Sequence, residues 1–559
     1  MREFDRRALL RYSGMAAASL MLHGPRFAFG EDASLMATTT GGKVSGRVEN
    51  GINVFRGIPY GEDTKQTRFK APLPIAPWSG VKECVEWSTR APQMNADRTD
   101  RSAGANGEPE RTGFHLPPDK GQQSEDCLHV NVWTPGLRDG KKRPVLFYIH
   151  GGAYTNGTVN CDLYDGNRLC HRGDVVVVTV NHRLNVFGYL YLGNLGGNPY
   201  ADSGNAGMLD IVLALKWVQQ NIAEFGGDAS RVLIFGQSGG GAKCATLMAM
   251  PAAKGLFHRV LTMSGQQVTA KPTVIATEVA KDALDKLGVK YNQLDALKAL
   301  PMEKIQEAAR VSTAWLPVTD GGVLPRDPFD PDAPGLSAGV PMILANTHDE
   351  TVTAAAGPTG VLTWEQAPAA LKNSVGQFLG SYTPEEIIRR YREIYPDRDA
   401  AHVVVAAACA FRAWPGQVIE ADRRAADPRS QEHTWVYRMD WKVPFPGHWS
   451  LHTIDIPFVF DNVALAPGMC GASAEEQAAA QPLATRMSEM LIAFARTGDP
   501  NCREVPQWPT YDLKERNTMI FNSETGDSKT GDNGTRVEKD PRGAERVFAA
   551  GAHYRQPGT

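Results

Sequence analysis

The stretch Arg231-VLIF-Gly236, running straight into Gln237-Ser238-Gly239-Gly240-Gly241, constrains this chain more than any other. Four consecutive apolar residues rich in β-branched and aromatic types read as a short strand buried on both faces. The glycines then require a sharp turn, and AKCATLMAM beyond them can open a helix. A strand that turns this tightly into a helix lifts one side chain clear of the sheet and aims a helix N-terminus at it. That is the setting of a nucleophile in the pattern G-x-S-x-G. Ser238 holds that place. A second match, Gly335-Leu336-Ser337-Ala338-Gly339, must be weighed against it. With 55 glycines in 559 residues, roughly 0.3 such matches arise by chance, so context decides. Ser337 lies in a proline-rich stretch with no strand before it and no helix after it, and reads as loop. The turn at Ser238 fits neither glycine-rich phosphate-binding fingerprint.

The rest of the chain repeats the strand–helix grammar. Pro144-VLFYI-His150, Asp174-VVVVTV-Asn181, VPMIL at 340–344 and TWVYRM at 434–439 are further short apolar runs. Between two of them, AGMLDIVLALKWVQQNIAEF predicts a helix whose apolar face carries Leu209, Val212, Leu213, Leu215, Lys216, Trp217 and Ile222. Strand, helix and strand at this spacing predict an α/β fold: a mostly parallel sheet covered by helices on both faces. Residues 36–60 predict an antiparallel entry with turns at Gly41-Gly42 and Asn50-Gly51. The stretch 364–425 reads as a helical cap insertion. No linker divides the chain, so residues 31–559 are expected to form one domain.

A content of 42% apolar and 22% charged residues is that of an ordinary globular chain, and a net charge of −3 without a basic cluster argues against nucleic acid as a partner. The N-terminus differs. MREFDRRALLRYSGMAAASL combines a basic start, a short apolar run from Gly14 to Leu22 and small residues around Ala28-Phe29-Gly30. This is the grammar of a signal peptide, with Arg6-Arg7 similar to a twin-arginine signal, and the run is too short for a stable membrane anchor. Residues 1–30 are therefore expected to be removed on export to the periplasm or beyond. Export permits disulfides among the eight cysteines, whose pairing spacing alone does not give. Cys161 and Cys170 flank a short loop and could bridge; Cys244 reads as a buried thiol.

A serine needs a base, an acid to orient the base, and donors for the developing oxyanion. VLFYIHGGAY places His150-Gly151-Gly152-Ala153 at a strand end, where small residues let backbone N–H groups approach a substrate. The strand VPMIL runs into Ala345-Asn346-Thr347-His348-Asp349-Glu350, and the strand TWVYRM into a loop with His448 and His452. The residues alone leave Asp349 open beside Glu350, and His448 beside His452.

With these pieces in order, the chain resembles the type B carboxylesterases, the α/β-hydrolase family that includes the cholinesterases. FRGIPYGE, SEDCLHVNVWTP, HGGAY, VNHRLNVFGYL, NAGMLD, FGGDASRV, FGQSGGG, ANTHDE, HTIDIPFVF and ARTGDPN carry the resemblance across nearly all of the chain after residue 30. It implies Ser238 as nucleophile, Glu350 as acid and His452 as base. Gly152, Ala153 and Gly239 match the oxyanion amides, Ser264 a supporting serine, and Cys84 with Cys127 the family's first disulfide. It implies a small-molecule ester as substrate, no cofactor and no metal, and a monomer or weak homodimer. Gln237 stands where cholinesterases have Glu, and the loop from Met94 to Gln123 has no Trp to hold a quaternary ammonium, so choline esters fit poorly. The same loop carries Arg98, Arg101 and Arg111, which would suit a bulky or xenobiotic ester with a polyanionic acyl group, such as a fumonisin-type tricarballylate ester. The rival reading is a catalytically inactive adhesion or binding protein on the same fold. Such members lose the nucleophile, and this chain keeps it.

Overall fold

The continuously apolar runs form the strands they predict. A computed structural model describes residues 35–94, 117–312, 314–355, 362–444, 449–522 and 534–557. The expected signal segment and Arg98, Arg101, Arg111 and His448 lie outside the described residues. The main sheet consists of β1 (Arg47–Glu49), β2 (Ile52–Pro59), β3 (His129–Thr134), β4 (Arg143–Ile149), β5 (Val176–Val180), β6 (Gly227–Gln237), β7 (Arg259–Met263), β8 (Met342–Thr347), β9 (Thr434–Met439), β10 (Asn517–Phe521) and β11 (Arg536–Lys539). Their order across the sheet is β11-β10-β9-β8-β7-β6-β4-β5-β3-β2-β1. From β10 to β5 every neighbouring pair is parallel. The remaining pairs, at the two ends, are antiparallel.

Every residue of β4 and β5 is buried, as a strand covered on both faces requires. Successive residues serve opposite layers, following the period of two. Val145, Phe147 and Ile149 of β4 join one hydrophobic layer, with Met208, Ile211 and Leu215 of helix α1 (Ala206–Asn221) and Ala245 of helix α2 (Gly239–Leu247). Leu146 and Tyr148 join the other. There they meet Leu483, Met487, Leu491 and Phe494 of the long helix Ala474–Thr497. The cap stretch holds helices Ala367–Val375, Pro384–Ile394 and Ala400–Ala408, packed around a cluster of their own that includes Leu371, Ile387, Tyr391 and Val404, and helix Trp414–Ala426, whose Ala421 and Ala425 join the layer of Val145 and Ile149. The entry segment is two hairpins, one pairing Met36–Thr38 with Lys43–Ser45 and one pairing β1 with β2. Asn50 and Gly51 close the second at φ +49° and +82°, the left-handed pair that a tight hairpin turn needs.

Two expectations are corrected. In α1, Leu209 and Leu213 are only half-buried and Lys216 is exposed, whereas Met208, Asp210, Ile211, Ala214 and Val218 face inward. The buried Asp210 sets that rotation: it accepts from Arg183 at 2.6 Å and 2.8 Å, and both side chains are almost completely enclosed. The second concerns the disulfide. Cys84 and Cys127 are separate buried thiols, as are Cys161 and Cys170. The segment lying alongside residues 122–126 is 89–93, through Arg90 N–H to Gln122 O and Ser124 N–H to Arg90 O, both at 2.9 Å. Cys84 is held elsewhere, its N–H donating to Ser45 O and its carbonyl accepting from Arg56 N–H. No helix among the described residues is long and apolar enough to cross a membrane.

Candidate active site

Ser238 stands between β6 and α2 at φ +56°, ψ −126°, a conformation that costs a non-glycine residue on the order of 1–3 kcal/mol. The surroundings impose it: Ser238 N–H donates to Met263 O at 2.7 Å, and Ser238 O accepts from Ala242 N–H at 3.1 Å. The turn is crowded enough that glycine is required around it. A side chain at Gly239 would collide with the Ala153 carbonyl, and one at Gly240 with that of Ile149. Close approach of the two backbones at the strand ends thus explains the run of glycines.

Three side chains meet at the C-terminal edge of the sheet. His452, in the loop after β9, lies with Nε2 2.9 Å from Ser238 Oγ. Its Nδ1 is hydrogen-bonded to Glu350 Oε2. The other oxygen, Oε1, accepts from Asn346 Nδ2 at 2.9 Å and Thr347 N–H at 2.7 Å, so the carboxylate is fixed at the end of β8. Burial pushes the Glu350 carboxyl up, but the adjoining His452 outweighs it, with help from the Ser264 hydroxyl and Thr347 N–H, and the group stays below its usual range. Gln237 adds a further tether, its amide donating to His452 O at 2.6 Å.

Asp349 turns away. It is hydrogen-bonded to His348 Nδ1 at 2.6 Å and accepts from Ser450 N–H at 2.9 Å. Burial raises its carboxyl, yet His348, Ser450 and Arg398 together bring it down to about 2. The choice left open between adjacent acids therefore resolves in favour of contact between Glu350 and His452. Ser337 is also excluded from this cluster: it is buried, with Oγ donating to Met248 O at 2.9 Å. Ser264 lies where the sequence puts it, lining the same cavity as the three residues.

Gly152 and Ala153 follow β4 at φ +89° and +53°. Their N–H groups, and that of Gly239, make no hydrogen bond with the described residues. All three residues line a cavity of about 760 Å³ together with Ser238, His452 and Gln237. Beneath this loop lies a residue that sequence reasoning passed over. Lys243, fully buried on α2, donates to Ala153 O at 2.7 Å and His150 O at 3.3 Å. Burial brings its ammonium down to about 7. The signal was a lysine one turn into a helix that otherwise faces the core. Among the described residues no group of His, Cys, Asp and Glu could hold a metal ion.

The chain and its fold have counterparts among known proteins. A model of the carboxylesterase family matches residues 33–539. The chain belongs to the carboxylesterase family. Its relatives include para-nitrobenzyl esterase of Bacillus subtilis, 34% identical over 528 residues that make up 91% of this chain and 97% of that protein. Carboxylesterase 3 of Homo sapiens is 30% identical, over 89% of each chain. Among solved structures, a carboxylesterase of Geobacillus stearothermophilus superposes with a TM-score of 0.75 at 32% identity, covering 92% of this chain and 99% of that one. An esterase of Clostridium hathewayi, described as able to hydrolyse aliphatic aromatic polyesters, gives 0.73 at 28% identity over 93% and 99%. This carboxylesterase has the α/β-hydrolase fold, with its sheet covered on both faces, and is a carboxylic ester hydrolase. The inactive-binder reading is not favoured.

Proposed function

We propose that this carboxylesterase works through a Ser-His-Glu acyl-enzyme mechanism on small-molecule esters. The observation that carries the reading is the unbroken chain from Glu350 through His452 to Ser238 Oγ, opening on a cavity beside three backbone N–H groups that have no hydrogen-bond partner among the described residues. Ser238 Oγ attacks the ester carbonyl while His452 Nε2 takes its proton, and Glu350 stabilises the imidazolium. Negative charge on the carbonyl oxygen is received by the N–H groups of Gly152, Ala153 and Gly239. The imidazolium gives its proton to the departing alkoxide, leaving Ser238 acylated. Water then attacks the acyl carbon, again deprotonated by His452, and the carboxylic acid and free serine are released. Ser238→Ala and His452→Ala should each lower kcat by about 10⁴-fold or more, and the double variant should be little worse than either, because the residues act as a unit. Independent, multiplying losses would count against this arrangement.

The cavity volume falls within the range of pockets for small molecules, roughly 300–1,000 Å³, and supports a bulky or xenobiotic ester. A relative named for a para-nitrobenzyl ester points the same way. The narrower proposal of a tricarballylate ester of the fumonisin type rests on Arg98, Arg101 and Arg111. An ester panel including such a substrate beside p-nitrobenzyl and alkyl esters tests it directly. We also propose export, supported by Arg6-Arg7 and the apolar run after it. The N-terminal sequence of the protein recovered from the periplasm should then begin near residue 30.

A further inference from the structure

Cys409–Ala413 forms one wide π turn between helices Ala400–Ala408 and Trp414–Ala426. The cause lies just beyond it. Pro415 has no N–H to give the carbonyl four residues back, and its ring crowds that carbonyl, so a regular helix cannot pass. The chain absorbs the conflict in a widened turn, a device found often at functional sites. Its effect is to offset the faces before and after it by one residue. Val403, Val404, Ala407 and Phe411 stay in the cap cluster, while Arg412 and Ala413 line the cavity that holds Ser238 and His452.

Arg412 is half-buried there, and its guanidinium has no hydrogen-bond or ion-pair partner among the described residues. Three other arginines of the cap are each held by a hydrogen bond or ion pair. Arg423 is paired with Asp330 at 2.7 Å, and Arg390 with Glu393 at 2.7 Å. Arg424 is bonded to Thr434 Oγ1 and two backbone carbonyls. The described lining of the same cavity includes the neutral Val352, Thr353, Ser374 and Pro557. The cavity's described carboxylate, Glu350, is engaged with His452, Asn346 and Thr347. A guanidinium with its planar fork of donors free, half-buried in a cleft, is built to take a carboxylate two-pronged.

We propose that Arg412 selects esters bearing a free carboxylate, on either the acyl or the alcohol side, by pairing with that carboxylate while Ser238 attacks the ester. This rests on the esterase reading of the same cavity. It does not rest on the arginines of the 94–123 loop.

The test compares matched esters on the whole protein. On the acyl side the pair is the 4-nitrophenyl monoester of adipic acid and 4-nitrophenyl hexanoate. On the alcohol side it is 4-carboxyphenyl butyrate and phenyl butyrate. For at least one pair, the ratio of kcat/KM for anionic over neutral ester should fall about tenfold or more in Arg412→Gln, mainly through KM. Arg412→Lys should recover part of the ratio and Arg412→Glu should depress it further. The KM for the anionic ester should rise with salt in the wild type and much less in Arg412→Gln. The pair that responds tells which side carries the carboxylate. If both ratios are unchanged in folded Arg412→Gln, as judged by thermal melting, the proposal is overturned. No wild-type turnover of either neutral ester would instead sink the esterase reading, and this proposal with it.

Discussion

Two neighbouring carboxylates, Asp349 and Glu350, are held to different tasks by one residue of offset along the chain. Glu350 meets His452, and Asp349 meets His348 and the Ser450 N–H. An amide at Glu350 could keep the hydrogen bond geometry but would not stabilise an imidazolium, so Glu350→Gln should lower kcat/KM by about 10³- to 10⁴-fold. Asp349→Asn should cost far less activity and show its effect in stability. The folded Asp349 titrates near 2 against an ordinary value of 3.8. A depressed carboxyl contributes stability above the unfolded value and loses it as pH falls toward the folded one. Denaturant melts should therefore show Asp349→Asn weaker than wild type by about 2 kcal/mol at pH 7, the gap closing between pH 4 and 2. Lys243 offers a third case. Lys243→Met removes the donors to His150 O and Ala153 O, which should loosen the loop of Gly152 and Ala153 and cut kcat about tenfold to a hundredfold with a smaller change in KM. At this scale the sequence was legible wherever a residue sits in a motif with a mechanism, as Ser238, His452 and Gly152 do. It was silent on Lys243 and Arg412, whose meaning comes from what folds against them and not from their neighbours in the chain.

The elements teach the same lesson in reverse. Continuous β-branched runs predict β4, β5 and β6 because a strand buried on both faces has no polar position to confuse the pattern. Helix α1 misled, because periodicity counts apolar residues and the helix is rotated by a buried ion pair between Asp210 and Arg183. The cap was legible only as a helical stretch. Its π turn follows from Pro415, and the burial of Glu420 on the last cap helix does not show in the sequence at all. Glu420 accepts from Gln267 N–H at 2.7 Å, yet burial raises its carboxyl to about 8 from an ordinary 4.5. Because the folded value is the higher one, the unfolded chain releases the proton first. Stability therefore falls as pH rises from about 4.5 to 8, and the whole loss is present above 8. Glu420→Gln should match wild type in urea melts near pH 4.5 and exceed it at pH 9, by on the order of 4 kcal/mol. An equal difference at both pH values would mean that Glu420 is ionised throughout.

Across the whole molecule, the parallel sheet does what no single segment can. It brings residues 238, 350 and 452 to one edge because β6, β8 and β9 run in the same direction and end together there. The order of the pieces along the chain already implied this meeting, and the resemblance to type B carboxylesterases named it. The Cys84–Cys127 bridge that the resemblance implies is not formed in the structure, where both stand as buried thiols. In the proposed mechanism ester hydrolysis proceeds through an acyl group on Ser238, and the predictions for activity depend on that step. The most direct measurement treats the protein with a fluorophosphonate and finds the adduct by peptide mass spectrometry. One adduct per chain is expected, on the peptide containing Ser238, forming at the rate at which activity is lost and much more slowly in His452→Ala. An adduct on any other residue, or loss of activity with Ser238 unmodified, would contradict it.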